Sequence, residues 1–219
     1  MEFSGVLWDM DGTIVDTEPY WIEAEHRLTA EFGLPWSQEE GLKLVGNALT
    51  VSAQVFIDLG VPLEPLEIIN RLTSDVIAQV QERVPFRPGV RELFAQLREA
   101  GIPSAMVTMS FRPLADAVVA SLPEGTFDAV ITGDEVQHGK PNPEPYEVGA
   151  KALGLRPQEC IAIEDSLNGA LSASSAGAHT LVVPCHVDIP EDPRWSIAQS
   201  LEGLSLEEFQ RAAIARQSQ

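Results

Sequence analysis

The sequence predicts an α/β protein in which a parallel, Rossmann-like sheet forms the core and an all-helical segment is inserted after the first strand. From residue 90 to residue 183, short apolar runs alternate with amphipathic stretches. Single helices between strands imply right-handed crossovers and parallel pairing. A further apolar run occurs at residues 6–8, whereas residues 16–84 have helical patterns and no convincing strand. The first strand is therefore expected to join the sheet formed by the second half of the chain.

The first predicted strand leads directly to two aspartates. Successive strand residues point to opposite faces, so Asp9 and Asp11 emerge on the same side if the strand persists through them, and Gly12 then ends it. Such a pair can share a divalent cation, or one carboxylate can act as nucleophile while the other transfers protons. A simple turn is an alternative, and so is a calcium-binding loop. The loop would follow a helix and have Glu at its twelfth position, where this chain has Tyr20.

The inserted segment is predicted to be helical throughout. The predicted helices cover residues 18–32, 38–45, 51–59 and 69–84. The first ends at Gly33 and Pro35, and Gly46 with Asn47 separates the second from the third. Two prolines and a glycine within residues 85–89 end the segment.

Beyond this boundary the predicted elements alternate regularly. Helices are predicted at residues 90–100, 112–122, 142–153 and 167–176. Strands are predicted at residues 103–108, 127–132, 160–165 and 179–183. The C-terminal part is predicted to contain a proline-bearing loop at residues 188–194 and a surface helix at residues 206–215.

Composition limits the classes of function. The chain has 219 residues, 44% of them hydrophobic, and a net charge of -19. It can bury one core, or one core plus a small appended domain. Nucleic acids and anionic membranes would be repelled, so neither is an expected partner. Cys160 and Cys185 form no disulfide framework, and we identify no secretory signal or membrane-spanning stretch. We expect a cytoplasmic protein that is a monomer or weak homodimer.

Polar side chains also follow the other predicted strands. The second strand ends at Thr108, Lys140 lies in the loop after the third, and the fourth ends at Glu164 and Asp165. Each has an ordinary explanation as a capping hydroxyl, a solvated lysine or a helix-starting acidic pair. Ligands of open α/β sheets, however, bind outside the C-terminal ends of the strands. Polar groups at successive strand ends therefore predict a shared site.

Four motifs together resemble those of the haloacid dehalogenase-like hydrolase superfamily in order and separation. They are the D-x-D-G-T sequence from Asp9, the strand end at Thr108, the pair Lys140-Pro141 and the E-D-S sequence from Glu164. With the helical insert after the first motif, the chain is most similar to the β-phosphoglucomutase and sugar-phosphate phosphatase branch. The resemblance covers nearly the whole chain.

The resemblance implies a Mg²⁺-dependent mechanism with a covalent intermediate. Asp9 would be the nucleophile that becomes an aspartyl-phosphate, and Asp11 would protonate the leaving oxygen and deprotonate the attacking water. Mg²⁺ would bind the Asp9 carboxylate, the Asp11 main-chain carbonyl and the Asp165 carboxylate. Glu164 would support a metal-bound water.

The resemblance also implies where substrate binds. Thr108 and Lys140 would bind the phosphate. Residues 17–85 would form a mobile cap domain, hinged near residues 16–17 and 85–86, over a core domain made of residues 1–16 and 86–219. The residues expected to face the leaving group are Glu18, Tyr20, Trp21 and Asn47 from the cap, and Arg112 from the core. Trp21 fits the apolar interior of the cap equally well.

The leading hypothesis is a phosphatase acting on a small phosphorylated metabolite, a sugar phosphate being the expected class. A phosphomutase is the alternative within enzymes, with Arg112 as the nearby cation that could grip a second phosphate. A non-catalytic binding protein on the same fold is the alternative of a different class. A mutase needs a second cationic site, and the cap loop at residues 44–49 offers no basic residue. We therefore expect free phosphate as the product.

Overall fold

A six-stranded parallel sheet lies at the centre of the computed structural model, which describes residues 3–45 and 47–214. The strands are β1 (Gly5–Trp8), β2 (Ser104–Val107), β3 (Ala129–Ile131), β4 (Cys160–Glu164), β5 (His179–Val182) and β6 (Trp195–Ile197). Their order across the sheet is β3-β2-β1-β4-β5-β6, and every neighbouring pair is parallel. The C-terminal ends of β1, β2 and β4 therefore lie side by side at one edge.

Helices connect the strands and form the inserted segment. They are α1 (Glu18–Glu31), α2 (Gln38–Leu42), α3 (Leu49–Leu59), α4 (Pro65–Glu82), α5 (Val90–Glu99), α6 (Arg112–Val119), α7 (Glu144–Ala152), α8 (Leu167–Ala176) and α9 (Leu206–Ile214). None of the helices in the described ranges is long and apolar enough to cross a membrane.

Helices cover both faces of the sheet. Along β1 the side chains alternate, so Val6 and Trp8 face one apolar cluster and Leu7 faces another. The first cluster includes residues of α5, α6 and α9, and the second is closed by α7 and α8. Both faces of β1 are thus buried, as expected for a central parallel strand.

The inserted helices join the core through two adjacent chain segments. Val15 and Phe86 form an isolated antiparallel bridge. The Asp16 amide donates to the Pro85 carbonyl at 2.8 Å, and the Arg87 amide donates to the Ile14 carbonyl at 2.9 Å. The insert therefore leaves and re-enters the core at one place, directly after the segment that carries Asp11.

The predicted fold class is confirmed, and the differences lie in element ends and in one strand. β6 was not predicted, because three residues after a proline-bearing loop show no useful periodicity; Trp195 nevertheless is 1% exposed. α4 begins at Pro65 rather than at residue 69, since proline is well tolerated in the first turn of a helix. α2 ends at Leu42, and the predicted break at Gly46 and the last predicted residue of α9, Ala215, lie outside the described residues.

Candidate active site

A buried lysine connects two carboxylates at the C-terminal edge of the sheet. The Lys140 ammonium donates to Asp9 Oδ1 and to Glu164 Oε1, each at 2.6 Å, and to the Val107 carbonyl at 3.0 Å. Its side chain is 3% exposed. Burial alone would lower the pKa of Lys140, but Asp9 and Glu164 raise it above its ordinary value. The lysine is thus a fixed positive charge beside Asp9.

Glu164 is fully buried, and both of its oxygens accept hydrogen bonds. Oε1 accepts from Lys140 and, at 2.6 Å, from the Tyr146 hydroxyl. Oε2 accepts from the amides of Asp165 and Ser166 and from the Ser166 hydroxyl. These contacts hold Glu164 as the anchor of Lys140.

The first turn of α8 needs a glycine to accommodate this anchor. A Cβ atom on Gly169 would lie 1.8 Å from the Glu164 carboxylate, so a side chain at this position is incompatible with the observed carboxylate. Ser166 precedes α8 and caps it, because its hydroxyl oxygen accepts a hydrogen bond from the Gly169 amide at 3.1 Å. The start of α8 therefore fixes the end of β4 and the acidic pair on it.

A second group of carboxylates could hold a metal ion. Oxygens of Asp9, Glu164 and Asp165 all lie within 4.8 Å of one another. Asp9 Oδ2 is buried and has no hydrogen-bond partner among the described residues. Oxygen donors of this kind suit Mg²⁺, and an unpartnered buried carboxylate oxygen is a group that a cation would satisfy. The residues present therefore fit Mg²⁺.

The electrostatics of these acids favour the binding of a cation. Burial, and then the charge of Glu164, raises the pKa of Asp9 from 3.8 to about 7 despite the nearby Lys140. Burial, and then the charge of Asp9, raises the pKa of Asp165 well above its usual range. A single lysine does not offset three clustered carboxylates, and a divalent cation would restore the ionised forms.

Asp11 lies between the core and the inserted helices. Its Oδ1 accepts from the Thr17 hydroxyl at 2.5 Å and from the Trp21 indole N–H at 3.4 Å. Its Oδ2 accepts from the Ser110 hydroxyl at 2.7 Å and from the Thr108 hydroxyl at 3.4 Å. One oxygen thus faces α1, and the other faces the segment after β2.

Asp9 and Asp11 line one cavity between the sheet edge and the inserted helices, although β1 ends at Trp8 and does not persist through them as predicted. From the core, the cavity is also lined by Thr108, Lys140 and Asp165. The four polar strand ends that the sequence indicated are therefore brought together by the parallel order of β1, β2 and β4 and the loop after β3.

Only some of the residues predicted to face a leaving group line the cavity. Glu18, Trp21 and Asn47 line the cavity. The Tyr20 hydroxyl instead donates to the Arg83 carbonyl at 3.0 Å. Trp21 belongs to the apolar cluster, as one interpretation of it expected, and its indole also bonds to Asp11; its contact with a leaving group stays a prediction.

Arg112 does not line the cavity. Its guanidinium bonds to Glu135, to the Val130 carbonyl at 2.8 Å and, at 3.7 Å, to Asp116. These acceptors take up N–H donors of the Arg112 guanidinium beside β3, the edge strand of the sheet. A substrate contact by Arg112 remains a prediction, and it would require the side chain to leave these partners.

Several polar residues of the site were not predicted. Ser110 and Thr17 bind Asp11, Tyr146 binds Glu164, and Glu25 lines the cavity. Glu25 could have been found, because it follows Glu18 by seven residues and so lies two helical turns further on the same face. Tyr146 gave no such signal, since its hydroxyl reaches Glu164 only through the packing of α7 on the sheet.

Known proteins resemble the chain over most of its length. Residues 3–177 match the family model described as haloacid dehalogenase-like hydrolase. Hexitol phosphatase A of Escherichia coli is 34% identical over 199 residues, 87% of each chain, and hexitol phosphatase B is 30% identical over 88% of each. The crystal structure of a mutant of CbbY from Rhodobacter sphaeroides in complex with xylulose-1,5-bisphosphate is 27% identical, covers 94% of this chain and 98% of that chain, and superimposes with a TM-score of 0.84.

Proposed function

This chain belongs to the haloacid dehalogenase-like hydrolase family, as its four motifs predicted, and we propose that it is a Mg²⁺-dependent phosphatase of small phosphorylated metabolites, sugar phosphates above all. The observation that carries the proposal is the set of contacts that the two Asp9 carboxylate oxygens make. One oxygen of this carboxylate is held by Lys140, and the other is unpartnered in the described structure. The relatives named as hexitol phosphatases support the substrate class.

Asp9 acts as the nucleophile. Its carboxylate oxygen attacks phosphorus and the bond between phosphorus and the leaving oxygen breaks, which gives an aspartyl-phosphate. Lys140 fixes the orientation of Asp9 through the 2.6 Å contact and places a positive charge where the phosphoryl oxygens gather. The Thr108 hydroxyl lines the same cavity and supplies a hydrogen bond to the phosphate.

Asp11 transfers the protons. In the first step it gives a proton to the leaving oxygen, and in the second it takes one from the water that attacks the aspartyl-phosphate. Inorganic phosphate leaves and both carboxylates return to their starting state. Hydrogen bonds from Thr17 and Ser110 hold the Asp11 carboxylate in place for both steps.

Mg²⁺ would be held by the carboxylates of Asp9 and Asp165 and by the main-chain carbonyl of Asp11. When bound, it neutralises the charge on the phosphoryl oxygens. Glu164 already accepts hydrogen bonds on both oxygens, so it would support the site by holding Lys140 and a bound water.

Residues 17–85 form the cap domain of this proposal, and residues 1–16 and 86–219 form the core domain. The hinge is at residues 16–17 and 85–86, beside the bridge between Val15 and Phe86, and closure excludes bulk water while the phosphoryl group passes to Asp9. Thr17 and Trp21 connect the cap to Asp11, so closure also orients the proton-transferring carboxylate. We also propose that the protein is cytoplasmic and that it is a monomer or weak homodimer.

Phosphate release from p-nitrophenyl phosphate tests this function. We expect release that requires Mg²⁺, is abolished in Asp9→Asn, and is unchanged in Asp75→Asn, which removes an exposed carboxylate on α4. Residual activity in Asp9→Asn of about a tenth of wild type would exceed what loss of a nucleophile allows and would refute the assignment. Glucose 6-phosphate formed from β-glucose 1-phosphate much faster than free phosphate, with Mg²⁺ and a catalytic amount of the 1,6-bisphosphate present, would show a mutase instead.

A further inference from the structure

The cap end of the cavity is acidic. Glu18 and Glu25 lie on the same face of α1 and line the cavity, with Trp21 between them in sequence. Glu25 is 4% exposed, and its Oε2 accepts from the Trp36 indole N–H at 2.9 Å. The other lining residues from the inserted segment are neutral, and Asn47 and Ser52 are the polar ones among them.

Positive charge is scarce around the same cavity. Among the described residues that line it, Lys140 and His186 are the ones able to carry positive charge. Lys140 is held by Asp9 and Glu164 at the phosphoryl end, and His186 Nε2 lies 2.6 Å from Asp16 Oδ1. No cationic side chain is thus left at the cap end of the described cavity for a second anionic group.

We propose that the substrate has a neutral, hydroxyl-rich leaving group, and that Glu18 and Glu25 select it against substrates that carry a second phosphate or a carboxylate. This inference rests on the proposed phosphatase function. The CbbY mutant was crystallised with a bisphosphate. We expect this chain, in contrast, to disfavour a substrate that carries a second phosphate.

The physical basis is the difference between pairing a hydroxyl and pairing an anion. A carboxyl group forms a hydrogen bond with a sugar or polyol hydroxyl, and this bond replaces the one that the hydroxyl made to water. A buried anion without a nearby cation loses its hydration, and no protein contact compensates for that loss. An ionised carboxylate nearby adds repulsion. Amide and hydroxyl groups of Asn47 and Ser52 can serve further hydroxyls at the same end.

The protonation behaviour of the two glutamates supports the same ligand. Burial, and then the charges of Glu25, Asp11 and Asp16, raises the pKa of Glu18 to about 8. Burial raises the pKa of Glu25 to about 7, against a lowering by the Trp36 hydrogen bond. Near neutral pH each carboxyl therefore holds a proton part of the time and can both donate to and accept from a hydroxyl.

Matched substrates test the inference. Glucitol 6-phosphate and 6-phosphogluconate differ in a terminal alcohol against a carboxylate, and fructose 1-phosphate and fructose 1,6-bisphosphate differ in one phosphate. At pH 9, where both carboxyls are ionised, we expect kcat/KM at least about tenfold higher for the neutral member of each pair, which corresponds to one poorly screened like-charge contact. Equal or reversed values on an enzyme that hydrolyses p-nitrophenyl phosphate would overturn the inference and leave the phosphatase proposal standing. Absence of p-nitrophenyl phosphate hydrolysis would instead refute the phosphatase.

Charge variants assign the selectivity to residues. At pH 9, where the Glu18 carboxyl is ionised, Glu18→Gln should reduce the preference for the neutral substrates, and Glu18→Lys should reduce it further, because the charge is removed and then reversed. Glu25→Gln should act in the same direction. Glu23→Gln removes the same charge from an exposed position of α1, where it pairs with Arg27, and should leave the preference unchanged. A preference that is the same in Glu18→Gln, Glu18→Lys and wild type would refute the role of Glu18, with urea unfolding monitored by circular dichroism confirming that each variant is folded.

Discussion

Replacing Lys140 with methionine should destabilise the protein severely. The ammonium lies 2.6 Å from a carboxylate oxygen of Asp9 and 2.6 Å from one of Glu164, and both carboxylates are almost fully buried. At an effective dielectric constant of about 20, each contact is worth about 6 kcal/mol of Coulomb energy, much of it offset by desolvation of the ammonium. Methionine keeps the stem volume but leaves the carboxylates unpaired. Breaking a buried pair in this way costs about 3–5 kcal/mol.

Urea unfolding in the presence of EDTA measures this effect without a metal ion. Lys140→Met should lower the free energy of unfolding by about 3–5 kcal/mol. Lys43→Met is the matched control, because Lys43 pairs with Glu39 at 3.3 Å on the surface and its loss should cost about 0.5 kcal/mol or less. A loss below about 1 kcal/mol in Lys140→Met would show that the lysine does not hold the acidic cluster together.

Three further predictions concern the acids around the site. The pKa of Glu25 rises from 4.5 to about 7 on burial, so the folded state binds its proton more tightly and loses stability as the pH rises from about 4.5 through 7. In urea unfolding, the free energy of unfolding of Glu25→Gln relative to wild type should therefore increase by about 2–3 kcal/mol between pH 5 and pH 8. A difference that does not change with pH would contradict this. A Cβ on Gly12, where φ is 82°, would lie 1.9 Å from Asp165 Oδ2, so Gly12→Ala should raise the Mg²⁺ concentration for half-maximal activity at least about tenfold. Gly203→Ala, with φ of 74° and open space, should not raise it. Asp165→Ala should shift the same Mg²⁺ titration by at least about tenfold, and an unchanged curve would count against a metal role for this carboxylate.

The sheet and the phosphoryl end of the site could be predicted because their signals are local. Alternating strands and helices predict parallel order, and parallel order brings residues at strand ends together whatever the details of packing. Lys140 was noticeable because the chain has three lysines and this one lies between Gly139 and Pro141. Asp9 and Asp11 were recognisable from their spacing after an apolar run.

The remaining contacts depend on how distant elements pack. The Tyr146 hydroxyl reaches Glu164 because α7 covers β1 and β2, and no pattern in α7 shows this. The spacing of Glu25 after Glu18 indicates a shared helix face, but its burial depends on Trp36, which lies outside that helix. For Arg112, closeness in sequence to the second motif suggested a substrate contact. In the structure its guanidinium instead pairs with Glu135, on the loop after β3.

Trapping of the covalent intermediate tests the central claim most directly. Asp11→Asn, incubated with Mg²⁺ and radiolabelled acetyl phosphate, is acid-quenched and digested, and the labelled peptide is identified by mass spectrometry. Without the Asp11 carboxylate the aspartyl-phosphate lacks a base for its hydrolysis and should accumulate, with the phosphoryl group on Asp9. The double variant Asp9→Asn, Asp11→Asn should incorporate none. Label that persists in the double variant, or that maps to a peptide without Asp9, would contradict the assignment of Asp9 as the nucleophile.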